Sequence, residues 1–259
     1  RDNIVKAKGE IFAGLDHDGV AVINADDAYD EYWCGLNASR KIVTFGIEIN
    51  ADVSAQHVEN NGLGIMSLST PNGKNSVVLH LQGKHNISNA LAASAVAYAL
   101  GVSNAEIAYG LEHFAGVNGR LQRKAGLNHA VVIDDTYNAN PDSMRAAIDV
   151  LAIQAGTKIL VIGDMGELGV DALKLHAEIG AYAKQKGIDV FYTLGENSQA
   201  AAQAFGAKAQ AFNEVDMLVN TIKNEMNQKS VVLVKGSRFM KMERVVNAIT
   251  TQQNNGEAH

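Results

Sequence analysis

The chain has 259 residues, 47% of them apolar and 19% charged, with a formal net charge of -6. That length accommodates two compact domains, and the balance excludes disordered and fibrous classes. The acidic sum argues against a broad nucleic-acid surface, which needs clustered Lys and Arg, but leaves room for a small anionic ligand held by a few local cations. No apolar run approaches the roughly 20 residues of a spanning helix, and Arg1-Asp2-Asn3-Ile4-Val5 lacks the apolar core of a signal peptide, so the expectation is a cytoplasmic protein without membrane insertion. Cys34 is the single cysteine; it cannot form an internal disulfide and reads as a bystander.

In chain order, Gly19–Ala25 and Lys41–Gly46 read as buried strands that end in polar residues or glycine. Between Ala51 and Leu81 the pattern breaks into short segments around Asn60-Asn61-Gly62 and Pro71-Asn72-Gly73, hairpin signals that predict an antiparallel insert or edge. A helix is predicted from about Ile87 to Leu100, with a small-residue face of Ala90, Ala93 and Ala97 and a stop at Gly101, and a second from about Asn104 to Phe114. Ala115–Arg120 has two glycines and no periodicity and is the best linker candidate, which divides the chain into domains 1–116 and 117–259. Beyond it, strands at 131–134, 158–162, 189–194, 209–212 and 231–235 alternate with helices at 143–154, 172–186, 198–205 and 215–226. That alternation predicts a parallel sheet with right-handed crossovers, a Rossmann-like α/β domain. The tail 250–259 is polar and expected to fray.

The most informative stretch is Asp134-Asp135-Thr136-Tyr137-Asn138-Ala139-Asn140-Pro141, at the junction of a strand and a helix. Carboxyl ends of strands in open α/β sheets are where ligands bind, because the loops leaving them face a shared crevice. Asn140 reads as a helix cap and Pro141 as a first-turn residue, whose missing N–H costs nothing there. A capped helix needs no more than that. Two adjacent carboxylates with Tyr137 and Asn138 exceed it and point to a site. Gly163-Asp164-Met165-Gly166-Glu167, Gly195-Glu196-Asn197-Ser198 and Lys235-Gly236-Ser237-Arg238 occupy comparable junctions, so in a parallel sheet all four line one edge. There Lys235, Ser237 and Arg238 offer capture of a carboxylate or phosphate, and Gly236 allows close backbone approach. In the first domain Asn86 and Asn89 lie three apart at a helix start; paired amides of this kind suit a purine edge, with His85 beside them for a ribose or phosphate, although Asn is also simply a good cap.

These blocks resemble the Mur ligases of bacterial cell-wall synthesis. Lys6-Ala7-Lys8-Gly9-Glu10-Ile11-Phe12, Asn24-Ala25-Asp26-Asp27, His85 to Ala93, Gly119-Arg120-Leu121, Asp134 to Pro141, Gly163 to Gly169 and Lys235 to Arg238 occur in that order and span nearly the whole chain. The Asp-Asp-Thr-Tyr-Asn-Ala-Asn and Gly-Asp-Met-Gly-Glu-Leu-Gly forms look like the branch that joins D-alanyl-D-alanine to the UDP-N-acetylmuramoyl tripeptide. The resemblance implies the remnant of a central ATPase domain followed by a Rossmann-like C-terminal domain, and an ATP-dependent amide ligase that acts as a monomer. ATP would phosphorylate the tripeptide carboxylate, and the dipeptide amine would attack the acyl phosphate. Mg2+ and cations would screen the two anions from each other. By the same resemblance Lys8 would become a carbamate that ligates Mg2+, Arg120 would reach the nucleotide, Asp135 would accept from ribose hydroxyls, and His85, Asn86, Asn89 and Tyr137 would line the nucleotide site. Asn138, Asn140, Lys235, Ser237 and Arg238 are the candidates for substrate. Closure of the two domains about the glycines of the linker would complete the ATP site.

The chain departs from the family in having no G-x-x-x-x-G-K-[ST] phosphate loop; its only Gly-Lys pairs are Gly73-Lys74 and Gly83-Lys84. The uridine-nucleotide domain and the family's metal-binding glutamate and histidine are also missing. The expectation is therefore a C-terminal portion of a longer ligase, inactive by itself. The alternatives are another Mur ligase that adds a single amino acid and a non-catalytic nucleotide-binding module.

Overall fold

A computed structural model describes residues 2–60, 63–79, 83–114 and 116–251, with the side chains of residues 2, 3, 57–60, 63, 64 and 85 outside that description. The backbone divides into two compact units, Arg1–Ala115 and Gly116–His259. No helix among the described residues is long and apolar enough to cross a membrane.

The first unit opens with α1 (Asp2–Gly9), continues through β1 (Val20–Asn24), α2 (Asp30–Leu36) and β2 (Lys41–Gly46), and adds β3 (Val53–Asn60), β4 (Leu63–Thr70) and β5 (Gly73–Leu79). Its sheet order is β1-β2-β3-β4-β5, parallel from β1 to β3 and antiparallel from β3 to β5. The predicted antiparallel insert is thus the second half of a mixed sheet. Two helices cover it, α3 (Lys84–Ala99) and α4 (Asn104–Glu112), and Ile87, Leu91 and Ala95 of α3 join Val43, Val53, Met66, Leu68 and Val77 in one buried cluster. The buried stripe of α3 follows Ile87, Leu91 and Ala95, while Ala93 of the expected small-residue face is exposed. Helix α3 also starts at Lys84 rather than near Ile87: Gly83, at φ 95°, turns the chain into the helix, and its carbonyl accepts from Asn86 N at 2.9 Å.

The second unit begins with β6 (Gln122–Ala125) and β7 (Val131–Asp135), followed by α5 (Pro141–Ala152), β8 (Thr157–Gly163), α6 (Ala172–Gln185), β9 (Val190–Leu194), α7 (Gln199–Phe205), β10 (Ala209–Phe212), α8 (Val215–Glu225), β11 (Ser230–Lys235) and α9 (Glu243–Ile249). Sheet order is β10-β9-β8-β11-β7-β6. Every neighbouring pair is parallel except β6 with β7, so the expected parallel Rossmann-like sheet carries one antiparallel edge strand. That strand, Gln122-Arg123-Lys124-Ala125, has no apolar alternation to betray it, and its two cations are the usual protection of a sheet edge.

Alternation along the central strands sorts the core into two layers. Ile133, Leu160, Ile162, Phe191 and Leu233 pack with Met144, Ile148 and Leu151 of α5, Ile179 of α6 and Phe205 of α7. Val132, Ile159, Val161, Tyr192, Val232 and Val234 face the other way, against Leu218 and Ile222 of α8 and Val245, Val246 and Ile249 of α9. Each fully buried aliphatic side chain here contributes about 1.5–3 kcal/mol of transfer free energy, which makes this three-layer frame the rigid support of the loops at its edge.

Candidate active site

The order of the strands decides where a ligand belongs. Strand β11 lies between β7 and β8, yet α5 and α6, which follow β7 and β8, pack on one face of the sheet while α9, which follows β11, packs on the other. The chain therefore leaves adjacent strands toward opposite faces on both sides of β11, and this switch opens a crevice at its carboxyl end. Lys235-Gly236-Ser237-Arg238 stand there. A Cβ on Gly236 would lie 3.2 Å from Gly163 Cα, so the ends of β11 and β8 touch backbone to backbone.

Around that contact the four polar clusters are hydrogen-bonded into one shelf. Lys235, 3% exposed, donates to Asp135 Oδ2 at 2.7 Å and to the Asn138 carbonyl at 2.8 Å. Asp135 also accepts from Leu121 N at 3.2 Å through Oδ1. Its neighbour Asp134 accepts from Thr136 Oγ1 at 2.7 Å and from Lys124 Nζ at 2.7 Å, across from β6. Ser237 Oγ accepts from Gly166 N at 2.8 Å and donates to Ala139 O at 3.2 Å, while Ser237 N donates to Asp164 O at 3.1 Å. Asp164 in turn caps the next loop, accepting from Ser198 N at 2.8 Å and Asn197 N at 3.3 Å. Two of the three strand-end carboxylates thus hold a lysine and the third holds N–H donors, arrangements that make burial of a charge tolerable.

On the solvent side of the shelf the side chains are open. Tyr137 is 48% exposed, and the Arg120 guanidinium stacks 4.3 Å above its ring. Arg120 reaches this place because Gly119 is tied down: Tyr137 N donates to Gly119 O at 3.0 Å, and at φ 73°, where a Cβ would stand only 3.0 Å from Tyr137 N, the residue has to be glycine. Gly119, one of the two linker glycines, is thus bonded within the second unit. Asn138 and Asn140 are exposed; Asn138 Oδ1 accepts from Ala139 N at 2.8 Å, and Asn140 is the cap of α5, accepting from Ser143 N at 2.8 Å while Ser143 Oγ accepts from Asn140 N at 3.0 Å. Pro141 fills the first turn as the sequence predicts. Arg238 is the open cation beside the crevice, its side chain 67% exposed and 3.4 Å from Glu243.

The structure distributes the remaining candidates over the first unit. Lys8 is exposed on α1. Asn86 is half-buried and Asn89 exposed, both on the first turns of α3; the side chain of His85 falls outside the described residues. Among the described residues no group of three or more His, Cys, Asp or Glu side chains could hold a metal ion. Mg2+ demands an octahedral oxygen shell, of which a Lys8 carbamate would supply a small part. Also in the first unit, Asp26 of the Asn-Ala-Asp-Asp block accepts from Ile47 N at 2.6 Å, Ile49 N at 2.9 Å and Glu48 N at 3.0 Å. Partial burial alone would push its carboxyl up, but these three amides and the nearby Lys84 ammonium outweigh that and hold it below the ordinary aspartate value.

Two family models match the chain, the Mur ligase middle domain over residues 1–97 and the Mur ligase, glutamate ligase domain over residues 119–238. The chain belongs to the Mur ligase family. Among its curated relatives, UDP-N-acetylmuramoyl-tripeptide--D-alanyl-D-alanine ligase of Escherichia coli strain K12 is 40% identical over 258 residues, covering 98% of this chain and 56% of that protein. The ligase of the same name from Bacillus subtilis strain 168 is 31% identical, covering 95% and 54%. A crystal structure of MurF from Acinetobacter baumannii superposes with a TM-score of 0.86 at 37% identity, over 95% of this chain and 55% of that one. This Mur ligase chain therefore spans about half the length of the curated relatives it matches.

Sequence reasoning places the four clusters on one edge but reads Lys235 and Ser237 as open to substrate, whereas both are buried with their polar atoms bonded to the shelf. It also passes over Lys124 and His176. Lys124 carries no local signal, since its partner is reached only through the β6–β7 register. His176 sits in Leu-His-Ala-Glu-Ile, which reads as ordinary helix.

Proposed function

We infer that this chain is part of an ATP-dependent ligase that joins D-alanyl-D-alanine to UDP-N-acetylmuramoyl tripeptide through an acyl phosphate. The observation that carries the reading is the juxtaposition of Asp134–Asn140 and Lys235–Arg238 at the switch-point crevice, in a chain related over nearly its whole length to ligases of that name. In this reading the Arg120 guanidinium, held over Tyr137, meets the nucleotide's phosphates, and Asp135 is aimed at ribose hydroxyls by Leu121 N and Lys235. Arg238 takes the carboxylate of the incoming dipeptide, because its guanidinium is the exposed cation of the Lys-Gly-Ser-Arg run. Asn138 and Asn140 present amide edges beside it. For the first unit, Asn86 and Asn89 are proposed for a purine edge with His85, and Lys8 for a carbamate that contributes an oxygen to Mg2+. The cytoplasm is the compartment in which ATP and nucleotide-linked precursors would meet such an enzyme.

Chemically the task is to bring an anionic nucleotide and a carboxylate together and then exclude water from the acyl phosphate. Preorganised cations and N–H donors accomplish the first part without reorganisation at the moment of reaction. In the full-length protein, Arg120→Ala is expected to raise the apparent KM for ATP tenfold or more, on the order of 1.4 kcal/mol, and Asp135→Asn to do the same. Steady-state phosphate release at varied ATP, with D-alanyl-D-alanine compared against free amino acids as the nucleophile, checks both the roles and the acceptor. Unchanged ATP kinetics in both variants would refute the assignments, and a preference for a free amino acid would refute the dipeptide.

A further inference from the structure

The β8–α6 connection, residues 164–171, borders the crevice beside Ser237, yet its conformation is an unusual one: Glu167 and Gly169 both adopt left-handed backbone, at φ 61° and 59°. Besides the bonds that the Asp164 carboxylate accepts from Asn197 and Ser198, three hydrogen bonds hold the backbone of its first residues. Two come from the crevice side, Ser237 N to Asp164 O and Gly166 N to Ser237 Oγ. The third comes from beneath, where Met165 N donates to His176 Nε2 at 2.9 Å. Since the backbone amide can only donate, Nε2 is the acceptor and Nδ1–H donates to Ala172 O at 2.7 Å, which fixes the tautomer and the ring's orientation.

His176 is 0% exposed. Buried to that degree it cannot touch a ligand in the crevice, and Ile179 and Ala183 on the same helix already supply apolar packing against the sheet. An aliphatic residue would serve the core as well, and would leave Met165 N without its acceptor. What the imidazole adds is one directional bond to the residue that precedes Gly166.

We propose that His176 is a positioning residue for the acceptor side of the site: it sets the Asp164–Leu168 loop so that Gly166 N meets Ser237 Oγ and Arg238 is presented to the carboxylate of the incoming dipeptide. The proposal rests on the reading above that this crevice takes the dipeptide. Its role is distinct from that of the nucleotide-facing residues Arg120 and Asp135, which are anchored through Leu121, Tyr137 and Lys235.

Two variants separate positioning from packing. His176→Leu fills the space without an acceptor, and His176→Gln returns an acceptor oxygen close to where Nε2 stands. In this chain, hydrogen exchange at the Met165 and Gly166 amides should accelerate about tenfold or more in the leucine variant, return toward wild type in the glutamine variant, and leave Leu160 and Val161 of β8 protected in both. In the full-length ligase, the leucine variant should raise the KM for D-alanyl-D-alanine about tenfold while the KM for ATP stays within about twofold, and glutamine should restore it. Exchange that is unchanged at Gly166, or that rises across the whole second unit, overturns the proposal; so does a KM for ATP that moves with that for the dipeptide, or a dipeptide KM that ignores a loosened loop. If the wild-type enzyme fails to couple D-alanyl-D-alanine, the functional reading falls, and the exchange measurements decide separately whether His176 holds the loop.

Discussion

Both units place carboxylates at or just beyond the carboxyl end of a parallel strand, and they partner them by different means. In the first, Asp26 is exposed and gathers three consecutive backbone amides from the turn after β2. In the second, Asp134 and Asp135 are buried and each meets a lysine, Lys124 or Lys235, at 2.7 Å. Backbone amides suffice for Asp26, which water still reaches; the two desolvated carboxylates of β7 add a full opposite charge to their other donors. The difference follows function as well as burial. The Asp26 arrangement ties one turn to one strand, whereas the buried pairs link β6, β7 and β11 and fix the ends of the strands that flank the crevice.

The largest effect should come from breaking the buried arrangement. Lys235→Met removes the ammonium from a carboxylate whose side chain is 12% exposed, and loss of one partner of a buried pair costs about 3–5 kcal/mol. Denaturation of the second unit should register that loss, and the double variant Asp135→Asn with Lys235→Met should recover most of it, since two neutral groups leave no stranded charge. A single-variant loss below about 1 kcal/mol, the range of surface pairs, would show that the two units do not differ as argued.

A smaller effect tests the third buried carboxylate, Asp164, which relies on amides of the β9–α7 loop where its counterparts meet a lysine. Gly195 makes room for it: at φ 118°, a Cβ there would lie 2.5 Å from Asp164 Oδ1. Gly195→Ala must displace the carboxylate or the loop, at a cost on the order of 1–3 kcal/mol. Exchange at the Ser198 amide, which donates to Asp164 Oδ1 at 2.8 Å, should accelerate more than exchange within β9. Equal acceleration of both would mean that the loop is held by something other than the carboxylate.

How far this contrast is legible in the sequence depends on the range of each interaction. The Asp134–Asn140 run stands out because an apolar β-branched strand stops abruptly at two carboxylates, and Asn140-Pro141 announces a helix by local chemistry alone. The convergence of four clusters follows from strand–helix alternation, a pattern of period and length. What escapes is set by tertiary register. The Lys235–Asp135 bond joins residues 100 positions apart, and nothing near Lys235 says that its ammonium is spent inside the protein rather than offered to a substrate. Ser237 misleads for the same reason. Helix α3 begins earlier than its sequence suggests because Asn86 looks like a cap, when the turn is made by Gly83 with a positive φ that sequence does not display. His176 gives no signal, because its purpose lies in an amide 11 residues earlier, across a loop with two left-handed residues.

The smallest effect is a pH dependence confined to the first unit. Asp26 has its folded-state acidity raised, that is, its carboxyl lies below the ordinary aspartate value despite the desolvation that opposes this, because Ile47 N, Ile49 N and Glu48 N stabilise the anion with help from Lys84. A group depressed on folding contributes stability that is complete above its unfolded value of about 4 and is lost as the pH falls through the lower folded value. Wild-type protein should therefore lose exchange protection at the Ile47, Glu48 and Ile49 amides on acidification below about pH 4, while the amides of β4 and β5 respond less. Asp26→Asn keeps the shape but carries no charge to titrate, so it should show weaker protection of those three amides at neutral pH and little further change on acidification. If the asparagine variant retains the same acid-induced loss, the titrating group is another one, and the exposed carboxylate of the first unit contributes geometry alone.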